Sequence, residues 1–451
     1  MKILLIQPSQ LDSNNNVIKY KKMFMPFLSL ATVAGLTPEE HEVRIINDYN
    51  EKINFDENVD LVGLTALTSQ APRAYQIADA FRKKGVPVVM GGIHATMCTD
   101  EALKHVNTVV KGEAELLWQS LLSDLKEKKL KKIYETSEKP DLKNTPIPRF
   151  DLLKMNHFIK APFSFKPLYL LPVQTSRGCP FNCHFCSVVP YLGTKIRKKP
   201  IEHVLKEISA YKSSYVFFTD DNIIGDPEYA RELFKALIPL KIRWYSQIST
   251  NFIKHPDLIK LAAQSGCAGG FFGIETYNKN SLQFYNKKHN KPDEYKYLFK
   301  TLKDHGILAD VSIMYGFDDD TYEDLLHMVE EVLSLDIHLL YLFIMTPLPG
   351  TVFYTNMLQN DRIEIYNWSK FDGTNPTMKF KNITSSKIMD AYWKSYKTFY
   401  SKRKIMKRLL NCGKQYLTNH PRNNFFIDLF LNISMHKTVK KNLHPFNLGN
   451  N

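Results

Sequence analysis

Ser176-Arg177-Gly178-Cys179-Pro180-Phe181-Asn182-Cys183-His184-Phe185-Cys186 places three of the chain's six cysteines within eight positions, directly after a short apolar run. A C-x3-C-x2-C run at the end of a strand brings three thiolates round one small loop. That arrangement suits an iron–sulfur cubane in which one iron has no protein ligand. Such clusters ordinarily take four cysteines, so a set of three implies an external ligand. The competing reading is structural zinc with His184 as fourth ligand. It would need the adjacent Cys183 and His184 to converge on one tetrahedral ion, whereas zinc sites keep a longer gap between ligand pairs. Cys98, Cys267 and Cys412 stand alone and are expected as small core residues. Six cysteines in 451 residues make no disulfide framework.

Outward from this loop the chain alternates strand and helix. Strands are predicted at Val173–Ser176, Tyr215–Thr219, Arg243–Ile248, Gly270–Ile274, Ala309–Met314 and Leu339–Ile344. Helical segments lie between them, such as residues 201–212, where Ile201, Val204, Leu205 and Ile208 form one apolar stripe. Six strands with intervening helices predict an incomplete α/β barrel, whose chemistry gathers at the C-terminal rim of the strands. The cysteine loop follows the first strand and so falls on that rim.

Upstream, short apolar runs at Ile3–Ile6, Val43–Ile46, Leu61–Leu64, Val86–Met90 and Val109–Val110 read as buried parallel strands. A helix with Ala74, Ile77, Ala78 and Phe81 on one face ends at Gly85. The fold class is therefore α/β: a Rossmann-like doubly wound domain over residues 1–136, then a partial barrel over 173–360. Pro140, Pro146, Pro148, Pro162, Pro167 and Pro172 mark an irregular linker over 137–172. Residues 361–451 form a basic, mostly helical region.

The apolar and charged fractions, 44% and 24%, are those of a soluble globular protein. No apolar run approaches the ~18 residues a bilayer span needs. Met1–Pro8 is too short for a signal-peptide core, so a cytoplasmic protein is expected. The net charge of +14 is concentrated at one end: from Lys379 onward there are fifteen Lys or Arg against two acids. Such a region suits an anionic membrane, a nucleic acid or an acidic partner.

With Phe185 before the last cysteine, Cys179, Cys183 and Cys186 resemble the signature of the radical S-adenosylmethionine (SAM) enzymes. The resemblance implies a 4Fe-4S cluster whose open iron is chelated by the amino and carboxylate groups of SAM. One electron, from an external donor such as flavodoxin or ferredoxin, then cleaves the sulfonium to a 5′-deoxyadenosyl radical. Further positions match the family's cofactor-binding strand ends. These are Asp220, Asp221 and Asn222 after the second strand, Gln247 and Ser249 after the third, Glu275 after the fourth, and Tyr315 with Gly316 after the fifth. Glu275 resembles the acid presented to the ribose or methionine portion, and Tyr315 is expected to help enclose adenine.

The N-terminal domain is similar to the cobalamin-binding domain of one subgroup, the class B methylase-like enzymes. Thr65-Ala66-Leu67 stands at the position of a small-hydroxyl-x-Leu motif, and Gly91-Gly92 follows the fourth strand. Thr65, Leu67, Gly91 and Gly92 are thus expected at a cobalamin site, with small residues leaving a slot for the nucleotide tail. The Asp-x-His-x-x-Gly motif that ligates cobalt in isomerases is absent, since "QPSQLDSNNNVIKYKKM" contains no histidine. His41 and His94 are read as structural or surface residues.

Near the C-terminus, Tyr392, Tyr396, Phe399, Met406 and Leu410 are predicted to share one helical face. Lys394, Lys397, Lys404 and Arg408 are placed on another. A helical cap on the barrel is expected, with peripheral contact to an anionic membrane as the sharper reading. No recognised RNA module accompanies these residues, so nucleic acid is not expected as a partner. The resulting expectation is a cobalamin-dependent methyltransferase acting on an unactivated carbon of a small-molecule or lipid substrate. A non-methylating radical cyclase is the first alternative, and a non-catalytic metal or cobalamin sensor the second.

Overall fold

The computed structural model of the chain describes residues 1–21, 23, 25–154, 170–417 and 425–444. Residues 155–169 of the expected linker and the side chain of Cys412 lie outside the described residues. Fourteen strands are described: β1 Lys2–Gln7, β2 Glu42–Asn47, β3 Leu61–Thr65, β4 Val88–Gly91, β5 Thr108–Val110, β6 Ile133–Tyr134, β7 Leu171–Val173, β8 Ser176–Arg177, β9 Arg197–Lys198, β10 Tyr215–Phe218, β11 Arg243–Gln247, β12 Cys267–Glu275, β13 Leu308–Tyr315 and β14 Leu339–Ile344.

The first sheet runs β2-β1-β3-β4-β5-β6 with every pair parallel. Its strands are near-continuous runs of buried aliphatics because helices cover both faces. The helix Ala71–Arg82 buries Ala74, Ile77, Ala78 and Phe81, as its 3.6-residue spacing requires. The chain steps from β1 to β2 on one side and then to β3 on the other. The crevice between β1 and β3 is therefore the topological switch point at which such sheets bind ligands.

The second sheet runs β14-β13-β12-β11-β10-β7, again all parallel. Each new strand adds to the same side, so the sheet curls as a partial barrel with β7 and β14 as its edges. The first barrel strand sits earlier than the predicted Val173–Ser176. Thr175 and Ser176 leave the sheet because both donate to the Asp220 carboxylate. Ser176–Arg177 then pairs antiparallel with β9 in a two-stranded ribbon that carries the cysteine loop.

An open edge strand is a hazard that proteins cover. Here the helix Ser385–Phe399 lies along β14, and tyrosine hydroxyls from its end take the place of a neighbouring strand. Tyr396 accepts from the Leu342 N–H at 2.7 Å, while Tyr400 accepts from the Leu340 N–H and donates to the Leu340 carbonyl, both at 3.0 Å. The expected single face from Tyr392 to Leu410 is not continuous. The helix ends at Phe399 and a second, Lys402–Leu417, begins with its phase reset. Tyr392, Tyr396 and Phe399 are buried, but Met406 and Leu410 are 58% and 69% exposed. Arg408, placed on the polar face by its spacing, is instead buried over the Phe399 ring at 3.9 Å, donating to the Phe399 carbonyl and to Asn432.

Candidate active site

The cysteine loop opens at Gly178, whose φ of +96° turns the chain out of the ribbon. The Cys179 N–H reaches the Gly193 carbonyl at 3.3 Å, and the Cys186 N–H closes onto the Cys183 carbonyl at 3.1 Å. These bonds fold eight residues into a compact turn with Cys183 buried and Cys179 and Cys186 half-buried. Burial pushes all three thiols up to about 11, and each is raised further by another of the three while Lys287 draws it down. Thiols this reluctant to ionise must release protons when they ligate iron.

His184, the candidate zinc ligand, faces elsewhere. Its N–H donates to the Tyr285 carbonyl and its carbonyl accepts from Phe353. Its side chain lines a separate outer cleft with Phe284, Asp318 and Arg362. Among the described residues no three His, Cys, Asp or Glu side chains gather tightly enough for a single ion. A cubane spreads its thiolates wider than one zinc does at Zn–S distances of about 2.3 Å.

Asp220 is fully buried and acts on the loop's entry. It accepts from the Thr175 N–H (3.0 Å), the Thr175 hydroxyl (2.7 Å) and the Ser176 hydroxyl (2.6 Å). Burial raises its pKa despite these donors. Asp221 turns toward the thiols: its charge acts on Cys179 and Cys186, and burial followed by repulsion from Asp220 pushes it up to about 6. Its Oδ2 is buried without a partner, as is Nδ2 of Asn222, whose Oδ1 accepts from the Ser249 N–H and hydroxyl at 3.1 Å. Orphaned buried polar atoms are rare, and two beside a loop of three thiols fit a polar ligand seated at the strand ends. Gln247 stands exposed at the end of β11.

Glu275 ends β12 with φ +62° at a register shift against β13. The irregularity re-aims its carboxylate at the strand ends. There it pairs with Lys287 at 2.7 Å and accepts from the Ser312 hydroxyl at 3.3 Å. Lys287 was not foreseen. Burial would lower its pKa, but Glu275, Cys183 and Cys186 outweigh this and raise it to about 12. Its ammonium also stands 5.8 Å over the Phe185 ring. No periodicity marks a lysine twelve residues beyond the strand; only the return of the loop 285–290, pinned by Asn290 to the Gly273 and Ile274 carbonyls, brings it back.

The side chain of Tyr315, expected to help enclose adenine, does not point to the rim. Alternation along β13 sends Ser312 inward and Tyr315 outward, where it is fully buried with its hydroxyl on the Leu325 carbonyl and Ser395. Only the backbone of Tyr315 and Gly316 reaches the rim.

The switch point of the first sheet opens into a cavity of about 400 Å³. Thr65, Gly91 and Gly92 line it, together with Leu5, Val33 and Trp118. Gly92 has φ +87°, and a Cβ there would stand 2.6 Å from the Thr65 hydroxyl. Leu67 lies outside the cavity, 59% exposed just beyond the end of β3. An apolar slot floored by glycines fits the nucleotide tail of a cobalamin. Neither His41 nor His94 lines it. His94 is buried with its Nε2 on the Tyr75 hydroxyl at 2.9 Å, under Trp368. The far wall belongs to the barrel: Gln174, Arg177, Tyr191, Leu192 and Thr219.

A loop of three thiols on the rim of a partial parallel barrel, next to a residue (Arg177) that walls a switch-point cavity in a doubly wound domain, defines a class. The model of the Radical SAM superfamily matches residues 173–332, and that of the B12 binding domain matches residues 22–122. The chain is 31% identical to the bacteriochlorophyllide d C-12(1)-methyltransferase of Chlorobaculum tepidum over 417 residues, covering 90% of this chain and 89% of that one. It is 23% identical to an anaerobic magnesium-protoporphyrin IX monomethyl ester cyclase of Cereibacter sphaeroides, over 85% of this chain and 69% of that one. Its fold is similar to that of the methyltransferase TsrM from Kitasatospora setae, with a TM-score of 0.61, 16% identity and coverage of 80% and 78%.

The chain belongs to the radical SAM superfamily. Within it, this is a cobalamin-dependent methyltransferase that uses a 4Fe-4S cluster and SAM. Among the described residues no helix is long and apolar enough to cross a membrane.

Proposed function

We propose that the enzyme methylates an unactivated carbon of a small-molecule or lipid substrate bound between the two sheets. The observation that carries this reading is the continuity of the sites: Arg177, two residues before Cys179, and Thr219, next to Asp220, wall the cavity of the first domain. When bound, the cluster and SAM supply a hydrogen-abstracting 5′-deoxyadenosyl radical, and cobalamin supplies a methyl group. Cys179, Cys183 and Cys186 hold the cluster, and Phe185 packs behind it. Asp221, Asn222, Gln247 and Ser249 orient the methionine end of SAM, while Asp220 acts through Thr175 and Ser176 to fix the loop. Glu275, steadied by Lys287 and Ser312, binds the ribose or methionine portion. Thr65, Gly91 and Gly92 hold the cobalamin tail, while Leu67 lies outside that slot, so residues 1–136 carry cobalamin and 173–360 carry the cluster. The reducing electron comes from an external donor.

A carbon without an acidic proton offers SAM no nucleophile, so each turnover consumes one SAM for abstraction and a second for the methyl group. Anaerobically reconstituted enzyme with its substrate should therefore release 5′-deoxyadenosine and S-adenosylhomocysteine in equal amounts. 5′-Deoxyadenosine without S-adenosylhomocysteine would instead support the cyclase-like alternative.

Peripheral membrane contact is supported by the C-terminal hairpin. The helix Lys402–Leu417 exposes Arg403, Met406, Lys407 and Leu410, and the helix Phe425–Lys440 exposes Phe430, Ile433, Lys437 and Lys440. Apolar tips with flanking lysines suit an anionic bilayer surface. The full chain should co-sediment with phosphatidylglycerol vesicles and not with phosphatidylcholine vesicles, and Met406→Ser/Leu410→Ser should remove binding. Equal recovery with both vesicle types would rule the contact out.

A further inference from the structure

The two domains meet at a largely buried ion-pair network that neither the cluster nor the cobalamin cavity by itself requires. Arg177 projects from the ribbon that carries the cysteine loop. Its Nη1 donates to Glu113 at 2.6 Å, its Nη2 pairs with Glu115 at 2.5 Å, and its Nε donates to Gln174 at 2.7 Å. Glu113 and Glu115 belong to the turn that follows β5 in the first domain. Arg197, on the partner strand β9, grips the same Glu113 carboxylate with both terminal nitrogens at 2.8 and 2.9 Å. It also donates to the Pro140 carbonyl in the connecting segment. Tyr191 adds a bond from its hydroxyl to the Gly112 carbonyl at 3.1 Å.

Two carboxylates face two guanidiniums whose side chains, with the carboxylates, are 4–13% exposed, and the half-exposed Lys139 ammonium adds a third cation to Glu113 at 3.4 Å from the solvent side. Burial alone would raise the Glu113 carboxyl; Arg197 and Arg177 outweigh it and hold the group below its ordinary value. The same residues are cavity wall. Glu113, Glu115, Gln174, Arg177 and Tyr191 all line the 400 Å³ space at the switch point.

We infer that Arg177 is a positioning residue, which with Arg197 latches the cysteine loop to the Glu113–Glu115 turn so that filling the cavity and ordering the cluster loop are coupled. A pair of domains joined only by a linker would set the distance between the two cofactor sites loosely. A bidentate Arg–carboxylate pair fixes direction as well as distance. Because such coupling is reciprocal, a change on either side must be felt on the other.

This rests on the cobalamin reading of the cavity, and the test separates the two. Hydrogen exchange of residues 176–187 is followed in the full chain, with and without hydroxocobalamin, for wild type, Glu113→Gln, Arg177→Met and Arg177→Lys. Wild type should show slower exchange in the loop on adding hydroxocobalamin. Glu113→Gln, 64 positions away in sequence, should raise the loop's exchange in the apo chain and abolish its response to ligand. Arg177→Met should weaken hydroxocobalamin binding by about tenfold. Arg177→Lys should restore only part of that loss, since an ammonium cannot bridge both carboxylates in fork geometry. The inference is overturned if Glu113→Gln leaves loop exchange as in wild type, or if Arg177→Met binds hydroxocobalamin unchanged. If wild type takes up no hydroxocobalamin, the cavity reading falls instead, and loop exchange in apo Glu113→Gln still decides the latch. Should Arg177→Met not fold, Arg197→Met interrogates the same carboxylate.

Discussion

Gly178 and Gly193 face one another across the turn that holds Cys179, with φ of +96° and +90°, so alanine at either carries a backbone penalty. That penalty is about 1–3 kcal/mol for a side chain in this region. The two sites differ in what the new methyl meets. At Gly193 nothing lies within 4 Å, whereas at Gly178 a Cβ would stand 2.5 Å from the Lys195 carbonyl oxygen and 3.1 Å from that of Gly193. Both obstacles are backbone and cannot rotate away, so overpacking adds roughly another 1–3 kcal/mol. The Gly193 carbonyl is also the acceptor of the Cys179 N–H, and its displacement moves the first cluster ligand. Urea unfolding of the apo chains should therefore rank wild type, Gly193→Ala and Gly178→Ala in falling order, the last two separated by about 1 kcal/mol or more. Anaerobic reconstitution should give Gly193→Ala most of its iron and Gly178→Ala little. Equal unfolding midpoints for the two variants, or full iron uptake by Gly178→Ala, would refute the account of the loop as a turn closed by backbone contact.

Replacing Cys179, Cys183 or Cys186 by alanine should abolish the 4Fe-4S absorption and paramagnetic signal, while Cys98→Ala and Cys267→Ala retain it. Cys267 is buried at the start of β12 and Cys98 lies in the first domain, so neither can substitute. Ser29 is exposed on the rim of the cavity, and Ser29→Trp should block hydroxocobalamin uptake in an equilibrium titration with little change in stability. His289, stacked on Phe181 of the cysteine loop at 3.6 Å, is held down to about 3 by burial and by Lys287 and Lys254. Its unfolded form binds the extra proton below about pH 6.5. Wild type should thus lose stability relative to His289→Phe as pH falls from there toward 3, by up to about 1.4 kcal/mol per pH unit, read from denaturation midpoints. A pH-independent difference would refute the half-buried, neutral imidazole.

The chemistry of this chain is local in sequence, and for that reason legible. Three thiols in one turn need only eight residues, and parallel strands buried on both faces announce themselves as short aliphatic runs. β14 is visible without any alternation of apolar and polar residues, because its run Leu339–Ile344 is apolar throughout and lies where that composition places it. The strand-end positions of Asp221, Asn222 and Glu275 follow from the same local rules. Where local rules restart, the reading fails: the turn at Tyr400–Ser401 resets the helical phase, exposing Met406 and burying Arg408.

What only the tertiary structure decided are the partnerships between segments far apart in the chain. Lys287 reaches Glu275, Tyr396 and Tyr400 cover the edge of β14, and Arg177 meets Glu113 across 64 positions and two domains. Tyr315 points away from the rim for the same reason, because the strand's register against its neighbours fixes which face each side chain takes. Periodicity and turn chemistry act over a few residues, so sequence alone determined most strands of the two sheets and the cysteine loop, while the two-residue strands β6, β8 and β9 escaped it. Ion pairs and edge caps form only once two sheets and a helical cap have docked, and docking depends on the packing of whole faces, which leaves no mark on any one stretch of sequence.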